Sequence, residues 1–185
     1  MKIPKIAKKV FSGEIFDVYQ WPQKMYDGSM ATFEMIKRPD TVEIIATKGN
    51  KVVVCKQKQP QHTSYYPSLF SGRMDKKRKT PLQAAKRELL EESGLTSNDW
   101  KLFNVYMPVS KMEWSIYVYI ARNCTYSKKQ NLDGGEKIKI QEISFENFFN
   151  LMIQDKFLVK QLAVDIMRMK LEGKRSQLKK LLFKK

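Results

Sequence analysis

The sequence predicts a mixed α/β fold. Three observations carry that expectation: a first half patterned as strands, one sharply capped helix near the middle, and a return to strands before a helical end. The chain has 185 residues, 42% of them hydrophobic and 29% charged, which suits a packed domain and excludes wholesale disorder. The elements follow in order. Val10 to Trp21 and Thr32 to Arg38 show strand-like spacing, and Pro39-Asp40 interrupts the second. Thr41 to Gln57 reads as a hairpin, two β-branched runs around Gly49-Asn50. A polar loop with Pro60 and Pro67 comes next.

The period then changes. Thr80 is a natural N-cap, Pro81 suits the first helical position and Gly94 suits the residue just past the end. Leu82, Ala85 and Leu89 recur at helical spacing and are expected to face the core. Strands return at Lys101–Val109 and Glu113–Ala121, the latter apolar enough to be central. After a loop with Asp133-Gly134-Gly135, KIKIQEIS forms a short strand with outward lysines. Ser144 caps a helix from Phe145, and helical pattern runs on, with breaks, to Leu171. This reading divides the chain into a domain over 1–172 and a basic tail over 173–185. The tail has an apolar stripe of Leu178, Leu181 and Leu182. It reads as a frayed, solvated end, with an amphipathic helix against RNA, lipid or a partner as the alternative.

Composition also limits function. Thirty-five Lys and Arg against nineteen Asp and Glu give a net charge of +16. Such a surplus attracts nucleic acid, nucleotides or anionic lipid, or simply solvates the surface. No stretch approaches the ~18 apolar residues of a membrane span. The N-terminus has no apolar signal core, and Cys55 and Cys124 cannot make a disulfide framework. A cytoplasmic protein with reduced thiols is the expectation. His62, the only histidine, lies in a polar loop and gives no zinc site.

One stretch carries chemistry, Arg87-Glu88-Leu89-Leu90-Glu91-Glu92-Ser93-Gly94-Leu95. On a helix Glu88 and Glu92 share a face one turn apart, with Glu91 beside them. They repel one another, and they sit at the negative end of the helix dipole. A divalent cation removes that conflict, and hard carboxylate oxygens suit Mg²⁺ or Mn²⁺.

This stretch resembles the second half of the Nudix box, G-x5-E-x7-R-E-U-x-E-E-x-G-U with U apolar, and matches it throughout. The first half departs from the pattern: Lys79 stands where the family has glutamate. Gly72 lies one residue too far upstream, and Lys76-Lys77-Arg78-Lys79 replaces an acidic turn. The resemblance covers roughly Phe11 to Met169. It implies a Nudix-like α/β/α sandwich with a mixed sheet and a loop–helix–loop box. It also implies metal binding by Glu88, Glu92 and the Ser71 carbonyl, with Mg²⁺ or Mn²⁺ as cofactor. Glu91 becomes a further ligand or water-orienting group, and Gly72, Arg87 and Gly94 become structural. It implies that Arg87 braces the helix and loop by ion pairing, although Lys79 stands in place of its usual glutamate partner.

Residues outside the box are similar to the ADP-ribose pyrophosphatase branch. The resemblance implies substrate contacts from Arg38, Gln59, Arg73, Pro108 and Glu113, and a base or metal ligand at Glu136 on a glycine-flanked loop. It implies hydrolysis of a nucleoside diphosphate linked to another group, ADP-ribose being the best single substrate, and a homodimer. Two alternatives stay open. One is hydrolysis at RNA 5′ ends, motivated by the charge and tail. The other is a nucleotide- or RNA-binding module with reduced turnover, motivated by Lys79 and Gln59.

Overall fold

The computed structural model describes residues 2–74, 80–157 and 159–183. The basic run ending at Lys79 lies outside the described residues, as do the last two lysines. The chain runs β1 (Lys8–Ser12), β2 (Asp17–Lys24), β3 (Met30–Lys37), β4 (Thr41–Lys48), β5 (Lys51–Lys58), β6 (Tyr66–Ser68), β7 (Phe70–Arg73) and α1 (Pro81–Ser93). Then come β8 (Leu95–Thr96), β9 (Asp99–Tyr106), β10 (Met112–Glu113), β11 (Ile116–Arg122), β12 (Thr125–Tyr126) and β13 (Lys137–Ile143). Helices α2 (Phe145–Met152), α3 (Lys160–Leu171) and α4 (Arg175–Leu182) end it.

A seven-stranded mixed sheet forms the middle layer, in the order β13-β5-β4-β11-β9, with β6 paired to β5 and β7 to β4. The central position expected for Glu113–Ala121 belongs to β11, which pairs parallel with β4 and antiparallel with β9. Strand alternation sends alternate β4 residues to opposite faces. Val42, Ile44 and Ala46 meet Ala85 and Leu89 of α1, whereas Ile45 joins Phe148, Leu162 and Ile166 of α2 and α3. Helices therefore cover both faces, giving the α/β/α sandwich. A separate sheet, β1-β2-β3-β10, is built from the N-terminal hairpins. The Gly49 turn has φ +55°, the left-handed conformation that a tight hairpin between β4 and β5 requires.

Two expectations change. Pro67 is not in a loop but in β6, opposite Lys56 of β5. A proline is tolerated there because so short a strand needs few ladder donors. The basic end is not a frayed tail. It folds as α4, with Leu178 and Leu182 fully buried in the core under α2 and α3. Its last carbonyls are captured from the sheet: Arg122 Nε donates to the Leu181 carbonyl at 2.6 Å and Thr47 Oγ1 to that of Leu182 at 3.2 Å. Arg122 is itself buried and ion-paired to Asp99 at 2.7 Å. The leucine stripe visible in the sequence is therefore a core face, and a buried cation on β11 and a hydroxyl on β4 each satisfy one carbonyl that the helix end leaves unpaired.

One charge interrupts the apolar run of β4. Glu43 has a carboxylate oxygen enclosed without a hydrogen-bond partner, and burial pushes its pKa up to about 8. The folded chain thus holds this proton more tightly than the unfolded chain, whose glutamate titrates near the ordinary 4.5. The contribution to stability is complete below that value and is lost as pH rises to about 8. Glu43→Gln should raise stability by a few kcal/mol at about pH 9 and change little at about pH 4, read from urea midpoints across pH. Leu182→Ala should cost about 2–5 kcal/mol by the same measurement, a loss that a solvated tail would not show.

Candidate active site

Helix α1 builds the site, and its ends are set locally. The Thr80 side chain accepts from the Gln83 N–H at 3.2 Å, and Pro81 occupies the first turn. Gly94 has φ +72°, and its N–H reaches the Leu90 carbonyl at 2.9 Å. A Cβ at Gly94 would stand 2.0 Å from the Lys128 carbonyl oxygen, so only glycine allows the 127–131 segment to cross there. That segment then satisfies the helix end. Asn131 N donates to the Glu91 carbonyl at 2.9 Å and Gln130 Nε2 to that of Glu92 at 2.6 Å. The same chain leads directly to Glu136, so its approach is tied to the acidic end of α1.

The acids of α1 turn toward β7. Glu92 is buried, and one of its carboxylate oxygens accepts from the Ser71 N–H at 2.8 Å. Glu88 is buried too, and its carboxylate lies where a side chain on residue 72 would be: a Cβ at Gly72 would come 2.0 Å from the carboxyl carbon. Burial pushes the Glu88 pKa up to about 7, against the pull of Arg87. Burial holds Glu92 well above the usual carboxylate range, despite the Ser71 N–H, and Glu88 and Glu136 add repulsion. Glu136 is also raised, by burial first and by repulsion from Asp133 and Glu91. Glu88, Glu92 and Glu136 therefore repel one another, with the Glu91 carboxylate adding to the repulsion.

Arg87 has partners after all. Its Nη1 pairs with Glu91 at 2.6 Å and its Nη2 with Glu88 at 2.5 Å, while Nη2 also reaches the Arg73 carbonyl at 3.2 Å. The acids of its own helix replace the missing glutamate.

A cleft of about 1410 Å³ opens beside this wall. Ser71, Gly72, Arg87, Glu88 and Glu136 line it, together with Arg38, Gln59, Arg73 and Pro108. Arg38 stacks on the Trp114 ring, 4.4 Å from its centroid, and its buried Nε has no partner. Burial lowers its pKa, and so does the positive charge of Arg73. Two mutually repelling guanidinium groups in one cleft suit an anion with several oxygens. Glu113 does not itself line the cleft, although Lys37 and Trp114 beside it do. Its carboxylate pairs with Lys37 and accepts from the Ile3 N–H at 2.7 Å, holding the N-terminal segment to β10.

Several cleft residues escape sequence reasoning. His62 is half-buried, with its ring 4.5 Å from Tyr66, and both line the cleft rather than an outer loop surface. Trp114 and Asp133 also line it. So does Glu43, and the one available signal was its charge within an otherwise apolar strand.

The donor set fits a hard divalent cation. Among the described residues, the two buried carboxylates held above their usual pKa have no counter-charge beyond Arg87. Among the described residues no three His, Cys, Asp or Glu side chains converge into a complete cage. Magnesium does not need one, since it is commonly held by one or two carboxylates plus phosphate oxygens and water.

Comparison with known proteins agrees with this architecture. The NUDIX domain model matches residues 37–161. The chain is 26% identical over 151 residues to the ADP-ribose pyrophosphatase of Bacillus subtilis (strain 168), covering 80% of this chain and 81% of that one. It also superimposes on a crystal structure of an ADP compounds hydrolase with a TM-score of 0.73 and 20% identity, covering 91% of this chain and 92% of the other. With the box helix, its glycine and its acids in place, this chain belongs to the Nudix hydrolase family.

Proposed function

We propose that the chain hydrolyses the diphosphate linkage of a nucleoside diphosphate joined to another group, with ADP-ribose giving AMP and ribose 5-phosphate. The observation that carries this reading is one cleft lined both by Glu88, beside the buried Glu92 on α1, and by Arg38 and Arg73, which have no ion pair among the described residues. A diphosphate bridges the two: its oxygens need the guanidinium groups on one side, and on the other they need charge compensation before approaching carboxylates. The curated relative named above is an ADP-ribose pyrophosphatase, which supports that substrate.

In this reading Glu88, Glu92 and the Ser71 carbonyl hold Mg²⁺ or Mn²⁺. When bound, such a cation polarises phosphoryl oxygens and makes water more acidic. The remaining work belongs to the chain. Arg38 and Arg73 orient the diphosphate, and Gln59 and Pro108 shape the cleft beside it. Glu91, released from Arg87, orients the attacking water, and Glu136 takes its proton. The water oxygen bonds to one phosphorus, the bridging P–O bond breaks, and its electron pair leaves on the second phosphate. Two phosphate monoesters result.

The protein's setting is part of the proposal. The N-terminal sheet leaves Val10, Phe11 and Met30 more than half exposed, which supports a second copy of the chain as its cover. Cys55 and Cys124 are free and buried, which supports a reducing, cytoplasmic setting. No described helix is long and apolar enough to cross a membrane.

A second reading has its own observation. Arg87 occupies both Glu88 and Glu91, and so long as that pairing persists the acids bind cations weakly. A nucleotide-binding module with little turnover would look the same.

Product analysis separates them. With Mg²⁺, ADP-ribose should yield AMP and ribose 5-phosphate, and EDTA should stop the reaction. Tight binding without products would favour the module. Glu92→Gln should lower kcat roughly 100-fold or more while the melting temperature holds or rises, because a buried acid is removed. Gly72→Ala should lower activity comparably by forcing Glu88 out of its place, whereas Glu113→Gln should leave turnover near the parent value. Both are read from initial rates.

A further inference from the structure

Four lysines oppose one another outside the cleft. In the β5–β13 ladder Lys56 is directly opposite Lys139, and Lys58 is opposite Lys137. The register has no bulge, so strand alternation puts all four on one face, the face from which Val52 and Val54 enter the core under α2 and α3. Lys56, Lys137 and Lys139 are exposed and Lys58 is half-buried. Among the described residues none of the four has a carboxylate within ion-pair distance. Like charges directly opposed across strands repel, so the arrangement costs stability.

Edge protection accounts for half of it. β13 is the last strand of the sheet, and lysines there discourage pairing with another chain. β5 is an inner strand, and its two lysines serve no such purpose. They double the positive charge where the ladder already carries one pair.

A second observation points to the ligand. Lys139 Nζ lies 4.6 Å from the centroid of the Tyr65 ring. Tyr65, Lys56, Pro67, Ile153 and Lys156 line a separate pocket of about 600 Å³, with Asp155 as the one acid on its wall. Cations thus flank an aromatic ring beside a hollow of mixed polarity, whose apolar part is Pro67 and Ile153. Lys58 precedes Gln59 and Lys137 follows Glu136, so the lysine track begins at the rim of the cleft.

We propose that this face binds a single strand of nucleic acid, with successive phosphates on Lys58, Lys137, Lys56 and Lys139 and a base against Tyr65. Charge complementarity selects a polyanion, and the ring beside the pocket selects one with unstacked planar groups. A duplex keeps its base faces stacked and cannot use Tyr65. The site is independent of the hydrolase reading.

The test is fluorescence anisotropy of the full chain with a labelled oligoadenylate RNA of about 12 nucleotides, over a salt series. The parent chain should bind the single strand more tightly than a duplex of equal length. Lys56→Gln with Lys139→Gln should weaken binding about tenfold or more and reduce the slope of log K against log salt by about 1.4. Tyr65→Leu should weaken it about tenfold with the slope unchanged. Lys179→Gln with Lys180→Gln, an equal charge change on exposed positions of α4, should have little effect. The proposal is overturned if the parent chain does not bind, if the duplex binds equally well, or if Lys56→Gln with Lys139→Gln or Tyr65→Leu has no effect. It is also overturned if the α4 pair loses as much as the β5–β13 pair. ADP-ribose turnover measured on the same preparations stands apart, since its absence removes the hydrolase reading and leaves the binding result intact.

Discussion

Two carboxylates held out of water against a bare stretch of backbone are the constraint around which this molecule is organised. Glu92 is anchored by the Ser71 N–H, and Glu88 occupies the space that Gly72 leaves empty. Burial outweighs the Ser71 N–H at Glu92 and the Arg87 guanidinium at Glu88, and both pKa values rise. A fold with only stability to gain would place apolar residues there. The surrounding parts serve to keep these acids in place: Gly94 admits the crossing segment, that segment caps the end of α1, and Arg87 balances the outer acids. The local destabilisation stands beside a cleft in which two arginines have no ion pair among the described residues. The two deficits are complementary only through a ligand that carries many oxygens.

The opposite face of the sheet settles a different problem. A small helix with six basic residues in or around it would not hold to a positively charged domain by charge. It holds because Leu178 and Leu182 fill the core and because Arg122, a buried cation, receives the carbonyl of Leu181. Fully burying a leucine is worth about 1.5–3 kcal/mol, more than a few exposed like-charge repulsions cost. The basic residues of α4 are thereby left outward around an apolar anchor. The surplus charge of the chain is thus spread over several surfaces and is not concentrated in a terminal tail.

Arg87 illustrates how a substitution elsewhere is absorbed. The family pattern supplies a glutamate where this chain has Lys79, and the arginine turns to Glu88 and Glu91 on its own helix. The pairing is short-range and partly buried, so it is not simply screened away. It places the acids in competition between an internal cation and an external one. In the proposed function, turnover depends on how readily Arg87 gives them up.

Some of this was determined by the sequence alone. The α1 helix, its Thr80 and Gly94 ends, the β4–β5 hairpin and the Ser144 cap follow from residues that act on their immediate neighbours. The shared face of Glu88 and Glu92 follows from helical period. The positions of Glu136 and Arg38 on the cleft wall were legible through resemblance. Other features depend on contacts between residues far apart in the chain, and only the tertiary structure decided them. Whether the leucines of α4 met solvent or core depended on the apolar cluster of β11, α2 and α3 and on Arg122, more than fifty residues away. Glu113 resembled a substrate ligand but is held by Lys37 and the N-terminal segment, because β10 pairs with β3. The opposed lysines became visible only once β13 took its register on β5, since charge repulsion depends on which residues face each other and not on how many there are.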